Sequence, residues 1–325
     1  MLRFLIPLML FSSLLVSGCS WLGGDDEDKL ETEGYTEQDF YSVIQRKLNS
    51  KQWEAAISNL EALEAQFPFG DYAEQAQLEL IYAHHKSSDQ QAAIAAADRF
   101  IKLHPQHPNV DYAIYMKGLS AYAESQGLVS NFLPVDATLR DPGSARDSFA
   151  AFNELLTRFP DSPYAGDSRQ RIIYLRNVLA RHEIHVANYY FKRGAYLAAV
   201  NRGRYVVENF QQTTAVPDGL AVMAQGYYLL GMNNLADDSA RLLAINYPEH
   251  PALDSEGNFA FQEDVSDLKK SWLNTLSFGL LRGDFKDSPS YDTRSIYDPI
   301  DTDSDDASVG QKRSIWSRIT FGLFD

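Results

Sequence analysis

Five segment ends in this chain obey one rule, and that rule leaves few folds open. The ends are Phe67-Pro68, His104-Pro105, Phe159-Pro160, Phe210-Gln211 and Tyr247-Pro248. Twelve positions before the second residue of each stands something small: Ala56, Ala93, Ser148, Ala199 and Ala236. Self-similarity of this kind marks a chain that stacks one supersecondary unit repeatedly. Between small residue and end runs an apolar helical pattern; in the first unit it is Ile57, Leu60, Leu63 and Phe67, which keep to one helix face. A small side chain lets two antiparallel helix backbones approach to packing distance. Proline just past the end lacks an N–H and restricts the residue before it, so the helix stops there.

Two helices per unit, a small residue early in the second and proline at the close resemble the tetratricopeptide (TPR) repeat. In the last unit Leu220, Met223, Ala224, Tyr227, Ala236, Ala240, Leu243 and Pro248 fall at that repeat's signature positions. Three features depart from it: the strong Trp is absent, the fourth unit closes on Gln211, and the closes are unevenly spaced. The middle units are therefore expected to carry insertions or longer helices. Residues 35–250 are read as an all-α, TPR-type helical-repeat superhelix of about five helix pairs, with an insertion near 125–145. Such a solenoid offers a groove for peptides or helices and seldom performs chemistry.

The chain begins with one positive charge at Arg3 and an apolar run from Phe4 to Val16. That run is shorter than the ~20 residues a spanning helix needs and reads as a secretory signal peptide, residues 1–18. It ends Leu15-Val16-Ser17-Gly18-Cys19, which resembles a lipobox, and Cys19 is the single cysteine of the chain. With no intrachain disulfide partner, Cys19 is assigned as the lipid-attachment residue of an exported protein. Each buried methylene of an acyl chain contributes ~0.8 kcal/mol, so several chains hold a protein where one lets it leave. Ser20 after the cysteine favours, by resemblance to sorted lipoproteins, the outer membrane with the body facing the periplasm. Residues 19–34 are acidic and glycine-bearing, a flexible tether. A formal net charge of −15 argues against a nucleic-acid partner, whose phosphates demand basic patches.

Particular strings are more specific than the repeat. They include Ala55 to Leu63, Phe67-Pro68-Phe69-Gly70-Asp71-Tyr72, Asp98 to Pro105, His107-Pro108-Asn109-Val110-Asp111-Tyr112, Arg193-Gly194-Ala195-Tyr196 and Ala199-Val200-Asn201-Arg202. The chain thereby resembles, over roughly residues 35–248, the BamD family of TPR lipoproteins of the outer-membrane β-barrel assembly machinery. In that family too the third repeat is interrupted, here by Ser125 to Ala145 with Val135-Asp136 and Arg140-Asp141-Pro142. The resemblance implies a non-enzymatic scaffold and substrate receptor without cofactor or metal. Its implied partners are a BamA-like subunit bearing POTRA domains and a barrel, other lipoproteins of the machinery, and unfolded β-barrel substrates. It also implies that Arg202 faces the BamA-like subunit; on composition alone Arg202 is a solvated helix residue. Its planar fork suits a carboxylate across an interface. For substrate capture the resemblance points to the first repeats, with Phe67, Phe69 and Tyr72; core packing is the competing role, above all for Phe67. The alternative to the assembly role is a TPR lipoprotein adaptor for peptidoglycan enzymes or pilus assembly.

Other constellations are weak. His182-Glu183-Ile184-His185 spaces its histidines three apart instead of four and reads as a solvated helix face. The His104/His107 pair belongs to a turn. Arg169, Arg171, Arg176 and Arg181 give one long helix a basic side, most simply a charged surface. Residues 251–325 form an acidic tail read as mostly disordered, notably Asp284 to Asp306. It carries two similar aromatic and basic motifs, 269–281 and 312–324, with Trp272 and Phe278 in one and Trp316 and Phe321 in the other. Exposed apolar groups rimmed by charge usually mark contacts, so both are candidate docking motifs for a partner subunit or the membrane leaflet. The competing reading has Trp272 and Leu276 cap the last repeat.

Overall fold

The computed structural model describes residues 36–126, 136–263 and 289–297. Cys19, the tether and both tail motifs with Trp272, Phe278, Trp316 and Phe321 lie outside these residues. Among the described residues ten helices of 13 to 28 residues follow one another as five pairs: α1 (Glu37–Asn49) with α2 (Trp53–Gln66), α3 (Ala73–Lys86) with α4 (Gln90–Leu103), α5 (Val110–Gln126) with α6 (Gly143–Arg158), α7 (Ala165–Lys192) with α8 (Tyr196–Asn209), and α9 (Val216–Leu229) with α10 (Asn233–Asn246). A single turn of helix, α11 (Arg294–Tyr297), stands apart in the tail. Among the described residues the one β feature is an isolated bridge, Leu253 to Phe259. The architecture is the all-α TPR-type repeat read from the spacing.

The five closes are one structure five times over. Phe67, His104, Phe159, Phe210 and Tyr247 each end a helix with φ between −123° and −140° and donate their N–H to the carbonyl four residues back, at 2.7–2.9 Å. Phe210 adopts this geometry before Gln211 as the others do before proline, so proline reinforces a stop that the extended residue already makes. The five small residues are all buried: Ala56, Ala93, Ser148 and Ala199 fully, and Ala236 to 1%. Ser148, the one polar member, donates its hydroxyl to the Gly118 carbonyl at 2.9 Å and so leaves no unsatisfied group. Four of the pairs also turn through a left-handed residue five positions before the small one: Lys51, Ser88, Gly194 and Gly231, with φ from 60° to 73°. The uneven spacing has two sources, the 28-residue α7 and the segment between α5 and α6.

The chain divides into two compact units, at residues 76 and 77. In the first, Thr36 caps α1 in a reciprocal box with Asp39. Phe40 and Ile44 of α1 are fully buried, as are Leu60 and Leu63 of α2 to within 1%. In the second, Ile81, Phe100 and Ile114 anchor a cluster that Leu155 joins, and Phe191, Ala199, Leu220 and Leu243 anchor another. Helices α8 and α9 cross at glycine: a Cβ on Gly203 would stand 2.8 Å from the Gly219 carbonyl oxygen, and one on Gly219 3.1 Å from that of Gly203.

Three readings need correction. Arg181 is not on a charged surface; it is 5% exposed and pairs with Asp218 of α9, itself fully buried. Glu183 and Ile184 are buried as well, so His182 to His185 do not form a solvated face, although His185 is exposed. In the tail, Ala252 to Phe261 packs on the last pair, and residues 289–297 are docked, with Tyr291 and Thr293 buried. No apolar period announced this, because two side chains and a set of main-chain hydrogen bonds suffice to hold the segment.

Candidate functional site

The first unit places its three aromatic candidates differently. Phe67 is half-buried and meets Phe40 edge-on at 6.2 Å, while Tyr72 stacks on Tyr41 with ring centroids 4.3 Å apart. Phe69 is 98% exposed. The turn that presents it is held by the Glu37 carboxylate, which accepts the N–H groups of Asp71 (3.1 Å) and Tyr72 (2.8 Å) at the start of α3. A carboxylate at a helix N-terminus is stabilising because free amides point at it. A Cβ on Gly70 would fall 2.1 Å from Glu37 Oε1, so a larger residue there would displace the carboxylate from these N–H groups.

In the second unit Arg202 of α8 donates to Glu183 Oε2 at 2.8 Å, and Arg146 of α6 reaches the other oxygen at 3.3 Å. Glu183 is thus a buried carboxylate held by two partly exposed arginines. The hydrogen bond to Glu183 holds the Arg202 guanidinium above its ordinary pKa, against the opposing effect of burial. Arg202 also lines a shallow surface depression with Tyr190, Ala198, Asn201 and Tyr205. A second depression, lined by Leu197 and Leu230, shares Ala198 and Asn201 with the first. One trough therefore runs along the outer side of α8, with Leu197 58% and Tyr205 46% exposed. Arg202 lines it with its side chain 42% exposed while bonded to Glu183, so the trough carries apolar groups and a cation side by side.

The arrangement that sequence reasoning missed lies on the other side of α7. Asp218 accepts hydrogen bonds from Arg181, from the Thr293 N–H (3.1 Å) and hydroxyl (2.9 Å), and from His250 Nε2 (3.2 Å). Ala252 donates its N–H to His250 Nδ1 at 3.1 Å, so the ring's proton sits on Nε2 and faces the carboxylate. Asn188 grips Tyr291 at both main-chain groups: its amide donates to the carbonyl at 2.9 Å and its oxygen accepts the N–H at 3.1 Å. One repeat later Gln225 grips Gln262 in the same way, at 2.7 and 3.0 Å. Arg294 then ties the segment to Asp136, whose carboxylate also accepts the Thr138 N–H at 2.9 Å. One signal was available in the sequence: Asn188 and Gln225 both stand eleven residues before their unit's small residue.

No cluster of His, Cys, Asp or Glu able to hold a metal occurs among the described residues. Fold and surface together define a helical-repeat binding protein. Residues 33–242 match the YfiO family, described as outer membrane lipoprotein. Relatives named outer membrane protein assembly factor BamD are similar over most of their length. One from Neisseria meningitidis serogroup A is 39% identical over 259 residues, 80% of this chain and 96% of the relative. One from Neisseria gonorrhoeae is 38% identical over the same shares. One from Vibrio cholerae is 36% identical over 206 residues, 63% of this chain and 86% of its own. The chain belongs to this YfiO/BamD family of outer membrane lipoproteins.

Proposed function

We propose that this chain is a non-enzymatic scaffold and substrate receptor of outer-membrane protein assembly, held by a lipid on Cys19 with its body in the periplasm. Membership of a family whose relatives are named assembly factors carries the reading. No helix among the described residues is long and apolar enough to cross a membrane, which is consistent with an anchor of another kind. The trough along α8, with Arg202 between Tyr205 and Leu197, is the surface offered to a BamA-like subunit. Phe69 at the first hairpin is the group offered to unfolded barrel substrates, and Phe67 and Tyr72 support it from within their unit. Other lipoproteins of the machinery would dock elsewhere, including on the tail motifs around Trp272, Phe278, Trp316 and Phe321.

The test is a pull-down of the mature protein from solubilised envelopes. Recovery of a POTRA-bearing barrel protein is expected, and its absence would overturn the assembly reading. Arg202→Lys is the informative variant, because it keeps a cation beside Glu183 while removing the planar fork. Reduced recovery is expected; unchanged recovery would remove Arg202 from the interface. Cys19→Ser should move the protein to the soluble periplasmic fraction, and persistence in the outer membrane would refute the anchor.

A further inference from the structure

The docked tail segment rests on a surface that has the features of a peptide site. Its floor is polar and buried: Arg181, Asn188 and Asp218 are 5%, 8% and 0% exposed. Arg181 binds Asp218 and the Thr214 carbonyl and so fixes the carboxylate, while Asn188 and Asp218 are directed at the main chain of Tyr291 and Thr293. Asn188 reads both main-chain groups of Tyr291 and Asp218 reads the Thr293 N–H, contacts that any extended peptide can offer. Selectivity comes from two positions. The Tyr291 ring enters a pocket of Phe191, His250 and Phe259, with centroids 6.2 to 6.4 Å away, and the Thr293 hydroxyl donates to Asp218. Between them Asp292 is exposed.

Two observations separate this segment from an ordinary part of the core. The fit is incomplete: a cavity of ≈ 160 Å³ remains beside Ser290 to Arg294, walled by α7 through Arg181, His185, Asn188 and Lys192. Arg181 Nε, buried there, has no hydrogen-bond partner. The grip is also repeated, since Gln225 stands one repeat beyond Asn188 and holds the main chain of Gln262 by the same pair of bonds. A carboxamide at an equivalent position of successive repeats is a recognition element of the repeat itself and not a device peculiar to one loop.

We propose that the face of α7 and α9 centred on Asn188 and Asp218 is a binding site for an extended peptide that carries a large aromatic residue and, two positions later, a hydroxyl residue. Residues 289–297 are its resident intramolecular occupant, and a peptide of the same pattern from another chain gains the site when they leave. The site lies apart from the Arg202 trough and does not depend on the identity of the partner there.

The probe is a fluorescein-labelled peptide of residues 290–297, Ser-Tyr-Asp-Thr-Arg-Ser-Ile-Tyr. It is titrated by anisotropy against the full chain and against the full chain carrying Tyr291→Ala with Thr293→Val, which weaken the resident segment and leave the floor intact. Binding at least about tenfold tighter to the variant is expected, because the competitor in cis is disabled. Adding Asn188→Ala should then lower the affinity by about tenfold, the effect of losing two hydrogen bonds from a buried site. Equal binding to both chains, no binding to either, or indifference to Asn188→Ala overturns the proposal. Hydrogen exchange of the unaltered chain supplies an arm that needs no variant. The Tyr291 and Thr293 amides should exchange at least about tenfold faster than the core amides of α9, as expected of a segment that detaches while the repeats stay folded. Exchange together with α9 would make the segment an inseparable part of the core and would likewise overturn the proposal.

Discussion

Replacing Asp218 by alanine removes one carboxylate on which four donors converge. Arg181 is left 5% exposed with its charge unmatched, and the Thr293 N–H, the Thr293 hydroxyl and His250 Nε2 lose their acceptor. Removing one partner of a buried ion pair costs about 3–5 kcal/mol, because the other charge stays desolvated. The three additional orphaned donors, at about 1–3 kcal/mol each, place this site in the upper part of that range, about 4–5 kcal/mol, since such terms are not additive. For a domain of this size that corresponds to a fall of roughly 10 °C in Tm. Urea and thermal unfolding followed by far-ultraviolet circular dichroism measure it. The control is Arg181→Met with Asp218→Leu, which removes both charges. Replacement of an ion pair by apolar side chains of similar volume is often neutral, so the double variant should lose less than half of what the single one loses. Equal losses in the two, or a single-variant loss under about 1 kcal/mol, would refute the claim that an uncompensated buried charge governs the cost.

Gly203→Ala should destabilise by about 1–3 kcal/mol, the cost of overpacking, because the new methyl meets the Gly219 carbonyl oxygen at 2.8 Å; an unchanged urea midpoint would show that α8 and α9 separate freely. Ser88→Gly should stabilise by about 1 kcal/mol, since Ser88 sits at φ 68° where an L side chain is strained; the same urea titration reads it, and a loss of stability would contradict the strain. The docked tail should loosen in acid. Burial raises the Asp136 and Asp292 carboxyls, but hydrogen bonds from Thr138 and Arg294 to Asp136, and from Arg294 to Asp292, outweigh it, so both lie below the ordinary aspartate value. Groups so depressed contribute stability above the unfolded pKa of about 3.9 and lose it as pH falls through their folded values. Protection of the Thr293 amide should therefore decline below about pH 4 before that of α9, and a parallel decline would refute the link.

What could be read from the sequence was local in origin. The helix stops at Phe67, His104, Phe159, Phe210 and Tyr247, and the burial of Ala56, Ala93, Ser148, Ala199 and Ala236, depend on neighbours within a dozen residues, so spacing alone revealed them. Arg181 was misread because its partner Asp218 lies 37 residues away, one repeat further on. On a single helix it was one of four arginines, and only the stacking of α9 on α7 made it a core residue. Tyr291 and Thr293 were misread for the opposite reason. Their stretch is polar and aperiodic, and what holds it is the carboxamide of Asn188, a residue 103 positions earlier. The trough around Arg202 was half legible. Family strings indicated the arginine, but its engagement with Glu183 needed α7 and α8 side by side.

The five equal caps have a further consequence. Each helix pair stops on an extended aromatic or histidine residue whose amide is satisfied by its own last turn, so every unit is terminated by reference to itself alone. Irregularities upstream are consequently not inherited: α7 runs to 28 residues and the chain between α5 and α6 is enlarged, yet Phe210 and Tyr247 close their helices with the geometry of Phe67. The caps act as phase resets along the chain. A lineage can lengthen one helix or enlarge one connection to suit a new neighbour without rewriting the repeats that follow.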